Sequence, residues 1–253
     1  MRTLKLTIAY EGTRLVGWQR QADGESIQGL IEAALTRLEG APVIVHGAGR
    51  TDAGVHAVAQ VASADVTFTH DTATVTRAVN ARLPPDVRVT AVEDAASGFH
   101  ARFSARGKTY RYLITRSTVA SPFMCRFAWH VPEPLDVPSM SAAAAALAGT
   151  HDFGAFQSTG TPVATSVRTL TLSVVREGTA ELPEAHSHQL LIYEVTGDGF
   201  LRHMVRAIVG TLVEIGRGRR RVESIGELLN GASRASAGAT APAQGLFLVR
   251  VDY

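Results

Sequence analysis

The residues with the most chemical potential lie in one glycine-rich segment, which reads Gly-Ala-Gly-Arg-Thr-Asp-Ala-Gly-Val-His from Gly47 to His56. Glycines let a backbone turn tightly or approach a ligand closely. Asp52 occupies the third glycine position of the dinucleotide-binding pattern, and the segment lacks the Lys-Ser/Thr pair of a P-loop. With both patterns excluded, the group in this segment that could act chemically is the carboxylate of Asp52, which has Arg50 two residues before it. A nearby guanidinium keeps a carboxylate ionised, as a nucleophile must be. The alternative interpretation is that Asp52 only forms a turn.

Two further segments combine cations with aromatic or helical residues. The segment from Phe103 to Tyr112 interleaves basic residues with tyrosines on a predicted strand, which suits base stacking and phosphate binding. A half-buried strand with a solvated basic face explains it equally well. In Phe200 to Arg206, the spacing predicts that Arg202 and Arg206 share one face of a helix. One of them would reach a buried anion at the start of the helix, or both would face solvent.

Charge is segregated along the chain although its total is small. The 253 residues carry 25 basic and 23 acidic side chains, and the basic set divides into 23 Arg and 2 Lys. Residues 99–131 hold six cations and no acid, and residues 199–221 hold six cations and one acid. Two such basic segments are typical of a nucleic-acid-binding surface. The arginine excess by itself also fits a bias in base composition.

The periodicity of apolar residues predicts an α+β protein. Alternation predicts half-buried strands, and a three-to-four-residue spacing predicts amphipathic helices. Ser26 and Gly40 are expected to cap the first helix. The predicted strands are 4–8, 42–48, 58–63, 87–94, 107–116, 167–177, 189–197 and 246–253, and the predicted helices are 27–38, 71–82, 138–148, 201–213 and 223–229. Strand and helix groupings recur in both halves of the chain, which predicts two similar halves that meet near residues 100–110.

Several classes of chemistry are disfavoured. The single cysteine, Cys125, excludes an internal disulfide and a multi-cysteine metal site, and its context predicts a small core residue. The sequence has no Gly-x-Ser-x-Gly elbow, and His186 and His188 lie in a predicted polar loop without metal-ligand spacing. The chain opens on a strand-like segment without a secretory signal, and its longest uncharged stretch is too short and polar to cross a bilayer. We therefore expect a soluble, cytoplasmic protein.

Several motifs together resemble the tRNA pseudouridine synthase A family, also called pseudouridine synthase I. They occur in family order over nearly the full chain, with mild departures at Leu15, Ala59 and Ala64. The similar segments are Tyr10-Glu-Gly-Thr with Gly17-Trp-Gln, Gly49 to Ala57, Asn80 to Pro84, Phe99 to Ala105, Lys108 to Tyr112, His151-Asp-Phe, Met204-Val-Arg-x-x-Val-Gly and Pro242-Ala-x-Gly-Leu.

The resemblance implies isomerisation of uridine to pseudouridine at positions 38–40 in the anticodon arm of tRNA, without a cofactor or a metal. Asp52 falls on the catalytic aspartate of the family, which acts at C1′, at C6 or through the C2′ proton. Tyr110 falls on the active-site tyrosine, which stacks on the flipped uracil. Arg206 and Arg50 are implied to pair with Asp52 and to help hold the site open for the nucleotide. Leu246 is implied to line the base pocket.

The resemblance also implies the remaining substrate contacts and the assembly. Substrate contacts are assigned to Tyr110, Leu246, Arg202, Arg106, Lys108, Gln60 and Arg14. The implied fold is a central, mainly antiparallel sheet that spans both halves, with the active-site cleft across it. Residues 1–105 form an N-terminal subdomain with the aspartate loop, and residues 106–253 form a C-terminal subdomain that completes the cleft. The implied assembly is a homodimer that binds the tRNA anticodon arm and elbow.

Two other classes of function remain as alternatives. A tRNA-binding or chaperone protein would need the basic segments but not the carboxylate of Asp52. A glycosidase would need a second acid beside Asp52, and no neighbouring motif supplies one.

Overall fold

The computed structural model describes residues 1–158, 160, 163–181 and 187–253. Five helices are interspersed among ten strands along these residues, together with three short 3-10 turns. The strands are β1 (Arg2–Tyr10), β2 (Val45–Gly47), β3 (His56–Val66), β4 (Val87–Asp94), β5 (Gly107–Thr115), β6 (Trp129–His130), β7 (Gly149–Asp152), β8 (Val167–Glu181), β9 (Ser187–Gly197) and β10 (Leu246–Asp252). The helices are α1 (Ile27–Glu39), α2 (Thr72–Asn80), α3 (Val137–Ala145), α4 (Met204–Gly216) and α5 (Ser224–Leu229).

The chain folds into two compact units. Unit 1 comprises residues 1–106 together with 247–253, and unit 2 comprises residues 107–246. In unit 1 the strand order is β4-β1-β3-β10, with β2 also paired to β3, and only the β3–β10 pair is parallel. In unit 2 the order is β5-β9-β8-β7 in antiparallel pairs, with β6 parallel to β5. The predicted mixture of helices with mainly antiparallel strands is confirmed.

Local sequence explains the elements of unit 1. Alternate residues of β1, among them Leu4 and Leu6, are fully buried, as the alternation predicts. The Ser26 side chain accepts a hydrogen bond from the Gly29 amide at the start of α1, and Gly40 ends the helix at a φ of 75°. Both predicted caps are confirmed, because a hydroxyl satisfies a free helix amide and glycine adopts the left-handed conformation without strain.

Helix α4 of unit 2 differs from its sequence prediction. The predicted helix begins at Leu201 and buries one face, but α4 begins at Met204 and buries every residue except Arg206 and Glu214. His203, which precedes it, has a φ of 62°. Because the chain is not helical there, the prediction that Arg202 and Arg206 share one helix face is wrong.

Other differences concern lengths and exposure. Strand β2 is shorter than predicted, since only Val45–Gly47 pairs with β3, whereas β8 extends four residues beyond its predicted end at residue 177. Cys125 is exposed, so its assignment to the core is wrong. The short strands β6 and β7 have no clear periodicity in the sequence, because two to four residues cannot establish one. His186 lies outside the described residues.

The described residues contain neither a candidate membrane-spanning helix nor a candidate metal-binding cluster. None of their helices is both long and apolar enough to cross a membrane. Nor do three or more histidine, cysteine, aspartate and glutamate side chains of these residues gather in a group suited to a metal ion.

Candidate active site

Asp52 lies in unit 1 on the loop between β2 and β3. Strand β3 holds the start of this loop. The Ala48 amide donates to the Val61 carbonyl at 2.8 Å, and the Gln60 side-chain amide donates to the Gly49 carbonyl at 2.9 Å. Gln60 is fully buried and its side-chain oxygen accepts from the Val61 amide at 3.2 Å. The loop therefore leaves the sheet from a fixed position.

The backbone on both sides of the Asp52 side chain is also fixed. Thr51 is buried, and its hydroxyl shares a 2.8 Å hydrogen bond with the hydroxyl of Tyr10. The Thr51 carbonyl accepts from the Trp18 amide at 3.0 Å, and the Asp52 carbonyl accepts from the Val55 amide at 3.2 Å. Asp52 itself is half-buried. A carboxylate on such a loop is held in one place, as a nucleophile or a general base must be.

Two glycines of the segment before α1 allow this loop to pack closely. Gly17 has a φ of 99°, and a Cβ there would lie 2.6 Å from the Thr51 carbonyl oxygen. A Cβ on Gly12 would lie 2.1 Å from the Val55 carbonyl oxygen. Both oxygens belong to the backbone, so no side-chain movement relieves the contact. Glycine is required at these positions for the loop to sit where it does.

His56 closes the loop at the first residue of β3. Its side chain is 1% exposed, its Nδ1 accepts from the Gly12 amide at 2.9 Å, and its ring stacks on Phe247 with centroids 4.7 Å apart. Because Nδ1 accepts, a neutral imidazole carries its proton on Nε2. Glu11 Oε1 lies 3.6 Å from the same nitrogen. His56 thus joins the loop to β10 and to the segment after β1, a role that the sequence motif did not reveal.

Arg14 is held by carboxylates of unit 1. Its guanidinium donates to both oxygens of Asp86 and to Glu25, with a distance of 2.9 Å from Nη2 to Asp86 Oδ1. These bonds raise the pKa of Arg14, Asp86 contributing most. Its side chain is nearly half exposed, so one face still meets solvent.

Two other arginines predicted to act in unit 1 are exposed. Arg50 projects from the Asp52 loop, and its guanidinium has no hydrogen-bonding or ionic partner among the residues that the structure describes. Arg106 is exposed as well, while its backbone amide donates to the Asp252 carbonyl at 2.8 Å. Gln60, in contrast, is enclosed by protein and supports the loop.

Tyr110 lies in unit 2 on β5, opposite Val195 of β9. Its side chain is 7% exposed, and the ring of Phe200 meets it edge-on with centroids 5.0 Å apart. Tyr112, two residues later, is fully buried and donates to the Pro242 carbonyl at 2.7 Å. The two tyrosines are therefore enclosed, not displayed on a solvated face of the strand.

Arg206 lies in the first turn of α4. Its Nε donates to the Ala241 carbonyl at 2.8 Å, and its own carbonyl accepts from the Ala241 amide at 3.0 Å. Burial raises the pKa of Tyr112, and the positive charge of Arg206 opposes that rise. The helix dipole adds partial positive charge at the same end of α4. This part of unit 2 therefore favours an anion.

The loop that carries Ala241 is packed tightly on α4. A Cβ on Gly210 would lie 1.7 Å from the Ala239 carbonyl oxygen. The buried hydroxyl of Thr211 accepts from the Gly238 amide at 2.9 Å and donates to the Ala207 carbonyl at 2.8 Å. The position of the Arg206 side chain therefore depends on contacts made one turn further along the helix.

The remaining predicted contacts of unit 2 differ in exposure. Leu246 is 6% exposed, Lys108 is half-buried, and Arg202 is exposed just before α4 begins. The carbonyl of Arg202 accepts from the Ser158 amide at 3.1 Å, which fixes its backbone.

Many cations of the two basic segments are already neutralised. At least five of the twelve form ion pairs within unit 2, among them Arg111 with Glu194, Arg116 with Glu177, Arg217 with Glu133, Arg220 with Glu214 and Arg221 with Glu227. The acids that pair with them lie mostly outside the basic segments, so a count along the sequence overstates the available charge. Exposed cations of these segments include Arg102, Arg106, Arg202 and Arg219.

Sequence reasoning did not identify the supporting residues of either unit. Tyr10, Gly17 and Thr211 had no assigned role, although the first two lie in segments that carry the family resemblance. An isolated glycine outside a recognisable turn, such as Gly17, is the pattern that indicates close backbone packing.

Comparison with known proteins places these motifs in a family. The family model described as tRNA pseudouridine synthase matches residues 6–104 and 143–253. Relatives called tRNA pseudouridine synthase A from Syntrophotalea carbinolica and Acetivibrio thermocellus are 45% and 42% identical, each over 100% of this chain and over 97% and 100% of their own length. The relative of that name from Myxococcus xanthus is 45% identical over 100% of this chain and 92% of its own. The chain belongs to the tRNA pseudouridine synthase family.

Proposed function

We propose that this protein isomerises uridine to pseudouridine in tRNA, at positions 38–40 of the anticodon arm, with Asp52 as the catalytic residue. The observation that carries the proposal is the rigid loop that presents Asp52, within a chain that matches the family over nearly its whole length. The reaction breaks the N1–C1′ bond, turns the uracil and joins C1′ to C5. Nothing is oxidised and no group leaves, so the reaction requires no cofactor.

The carboxylate of Asp52 supplies the chemistry in this proposal. It attacks C1′ or C6, or removes the C2′ proton, and each route requires an ionised oxygen close to the ribose or the base. The hydrogen bonds of Thr51 support all three routes, because they hold the backbone that carries the carboxylate. Product forms when C5 of the turned uracil bonds to C1′ and the C5 proton passes to solvent or to a nearby base.

Groups of unit 2 complete the site in this proposal. The Tyr110 ring stacks on the flipped uracil, and Leu246 lines the base pocket. Arg206, held by Ala241, pairs with the carboxylate of Asp52. Arg50 helps to hold the site open for the same nucleotide. The proposal thus requires both parts of the chain to act on one nucleotide, with residues 1–105 carrying the aspartate loop and residues 106–253 completing the cleft across a shared sheet.

Substrate binding is proposed to supply the energy for base extrusion. Taking a base out of a stem or a loop costs a few kcal/mol. Exposed arginines such as Arg102, Arg106 and Arg202 are suited to contact phosphates, and Lys108 and Arg14 extend that set. We propose that a homodimer presents these cations to the anticodon arm and elbow of tRNA in the cytoplasm.

Tritium release from tRNA that contains 5-tritiated uridine tests the proposal, because only C5 substitution frees the label. We expect wild-type protein to release tritium and Asp52→Ala to lose at least about a thousandfold in rate, as the loss of a catalytic residue typically does. Asp23→Ala, which removes an exposed carboxylate of the same unit, is the matched control and should react like wild type.

Measurement of tRNA binding distinguishes a loss of catalysis from a loss of substrate binding in this experiment. Asp52→Ala should still bind unmodified tRNA, because it removes no cation. Tritium release at the wild-type rate by Asp52→Ala would refute the catalytic assignment. Tight tRNA binding by a wild-type protein that releases no tritium would indicate a binding protein instead of an enzyme.

A further inference from the structure

A row of rings lies on the surface of unit 1, outside the loop that carries Asp52. The imidazole of His46 lies 4.6 Å from that of His100, and His100 lies 4.4 Å from the ring of Phe103, with planes inclined by 31° and 34°. The guanidinium carbon of Arg102 lies 5.7 Å from the centroid of Phe103. We call these four residues the ring row.

The outer end of the ring row is open to solvent. Phe103 is 77% exposed, His46 and Arg102 are exposed, and His100 is partly covered. A phenylalanine with three-quarters of its surface in water forgoes its hydrophobic contribution to folding. Such exposure is informative when the residue is held in place and neighbours other rings.

The segment under Phe103 is firmly held. Ala101 is fully buried; its amide donates to the Ser63 hydroxyl at 3.1 Å and its carbonyl accepts from the Tyr253 hydroxyl at 2.8 Å. The Ser104 amide donates to the His100 carbonyl at 2.9 Å, and the Ser104 hydroxyl accepts from the His100 amide at 3.1 Å. Phe103 therefore projects from a fixed turn.

The histidine in the middle of the ring row is also oriented. Nδ1 of His100 accepts from the Arg102 amide at 3.1 Å, which leaves Nε2 to carry the proton of the neutral ring. Burial lowers the pKa of His100, and the neighbouring His46 and Arg102 lower it further, whereas a backbone hydrogen bond to the ring and the charge of Asp65 oppose the shift. At neutral pH the imidazole of His100 is therefore an uncharged, flat surface beside a permanent cation.

We propose that the ring row is a stacking site for an unpaired nucleobase of the RNA substrate, with Arg102 placed for the adjoining phosphate. An exposed ring offers a π-face to any base, and a guanidinium beside it both stacks and neutralises the backbone. The inference rests on the proposed function, since that function makes RNA the ligand. Within residues 103–112, where the sequence predicts a stacking surface, Tyr110 and Tyr112 are enclosed and Phe103 is the exposed aromatic residue. The ring row is therefore a second stacking surface, besides the one proposed at Tyr110.

Substitutions at Phe103 test the inference. Phe103→Ala should raise both the Kd and the KM for unmodified tRNA about 10-fold, which is the lower part of the range for loss of one stacked base. The kcat of this variant should stay at the wild-type value. Phe103→Trp should restore affinity, and an unpaired oligouridylate should quench the emission of the new tryptophan more than the same strand in a duplex. Val119→Ala, a control of equal exposure at 78%, should bind like wild type.

Three results would overturn the stacking site. The stacking site is refuted if Phe103→Ala binds tRNA with wild-type affinity. It is also refuted if the affinity of Phe103→Leu equals that of Phe103→Trp, because binding then does not require an aromatic ring. A change in sedimentation of Phe103→Ala without RNA would assign the ring row to contact between copies of the chain. Tritium release by the wild type distinguishes failure of this inference from failure of the proposed function. If the wild type releases tritium and Phe103→Ala binds tRNA with wild-type affinity, only the stacking site is refuted. If RNA quenches the emission of Phe103→Trp but the wild type releases no tritium, only the enzymatic function is refuted.

Discussion

At the scale of single residues, the position of Asp52 depends on side chains that are not themselves reactive. Tyr10, Trp18 and Gln60 hold the loop through hydrogen bonds to Thr51 and Gly49. A catalytic carboxylate must stay within a fraction of an ångström of its working position. The residues around Asp52 therefore affect the rate without contacting the substrate.

Tyr10→Phe should weaken this support. The substitution leaves the buried Thr51 hydroxyl without its partner and should lower the free energy of unfolding by about 1–2 kcal/mol. It should also lower kcat about 10-fold, the effect of a small displacement of Asp52, with little change in tRNA affinity. Urea denaturation and tritium release measure the two effects.

The same variant has a pH signature. Burial raises the pKa of Tyr10 to about 12, from 10.0 for a free tyrosine. Its folded pKa lies above its unfolded pKa, so this contribution to stability is complete below pH 10 and is lost as the pH rises through 12. Tyr10→Phe should reduce the fall in stability across that window.

Tyr193→Phe is the matched control for Tyr10→Phe. Tyr193 is buried in unit 2, its hydroxyl shares a 3.0 Å hydrogen bond with Ser173, and burial raises its pKa. This control should lose similar stability and keep its kcat. Equal losses of kcat in both variants would contradict the role of Tyr10 in positioning the loop.

At the scale of elements, α4 and the loop before β10 act as one piece. The loop contacts α4 through Gly210 and Thr211 and returns Ala241 to Arg206. This arrangement explains why α4 is buried on nearly all sides, since both helix α3 and the loop pack against it. The periodicity of apolar residues in the sequence of α4 does not predict that a loop rich in Ala, Gly and Thr packs against the helix.

Thr211→Val should separate this loop from the helix. Valine keeps the volume of threonine but leaves the Gly238 amide without an acceptor, at a cost of about 1–3 kcal/mol. Because Ala241 then holds Arg206 less firmly, kcat should fall as well. Thr211→Ser retains the hydroxyl and should behave nearly like wild type. Identical stability and turnover of the two variants would show that the hydrogen bond has no part in the site.

At the scale of the whole molecule, ion pairing decides which arginines are available to bind RNA. Arg220 donates to Glu214 and to the Ser236 carbonyl, whereas the neighbouring Arg219 is exposed. Adjacent arginines in one basic segment thus serve different purposes. The first stabilises the fold, and the second is available to a phosphate.

Arg219→Ala and Arg220→Ala should therefore differ in tRNA binding. A phosphate contact contributes about 0.7–0.9 to the slope of log K against log salt concentration. Arg219→Ala should reduce that slope by this amount without loss of stability. Arg220→Ala should lower the unfolding temperature and leave the slope unchanged. The reverse pattern, measured by filter binding over a series of salt concentrations and by thermal unfolding, would contradict this division.

The sequence by itself determined the local structure and the family. Alternation and capping residues predicted β1, α1 and β4 closely, because these elements depend on neighbours a few residues apart. Ordered motifs around Asp52 identified the family, which the comparisons confirm. The catalytic roles of Asp52, Tyr110 and Arg206 stay predictions.

Only the tertiary structure decided which side chains are available. It enclosed Tyr110 and Tyr112, buried Gln60, exposed Cys125 and Phe103, and paired Arg217 with Glu133. The physical reason is that exposure and ion pairing depend on residues distant in sequence. The ring row joins His46 to Phe103, and the hydroxyl of Thr51 meets that of Tyr10 across 41 positions. Periodicity describes one element at a time, whereas such contacts arise when elements pack together.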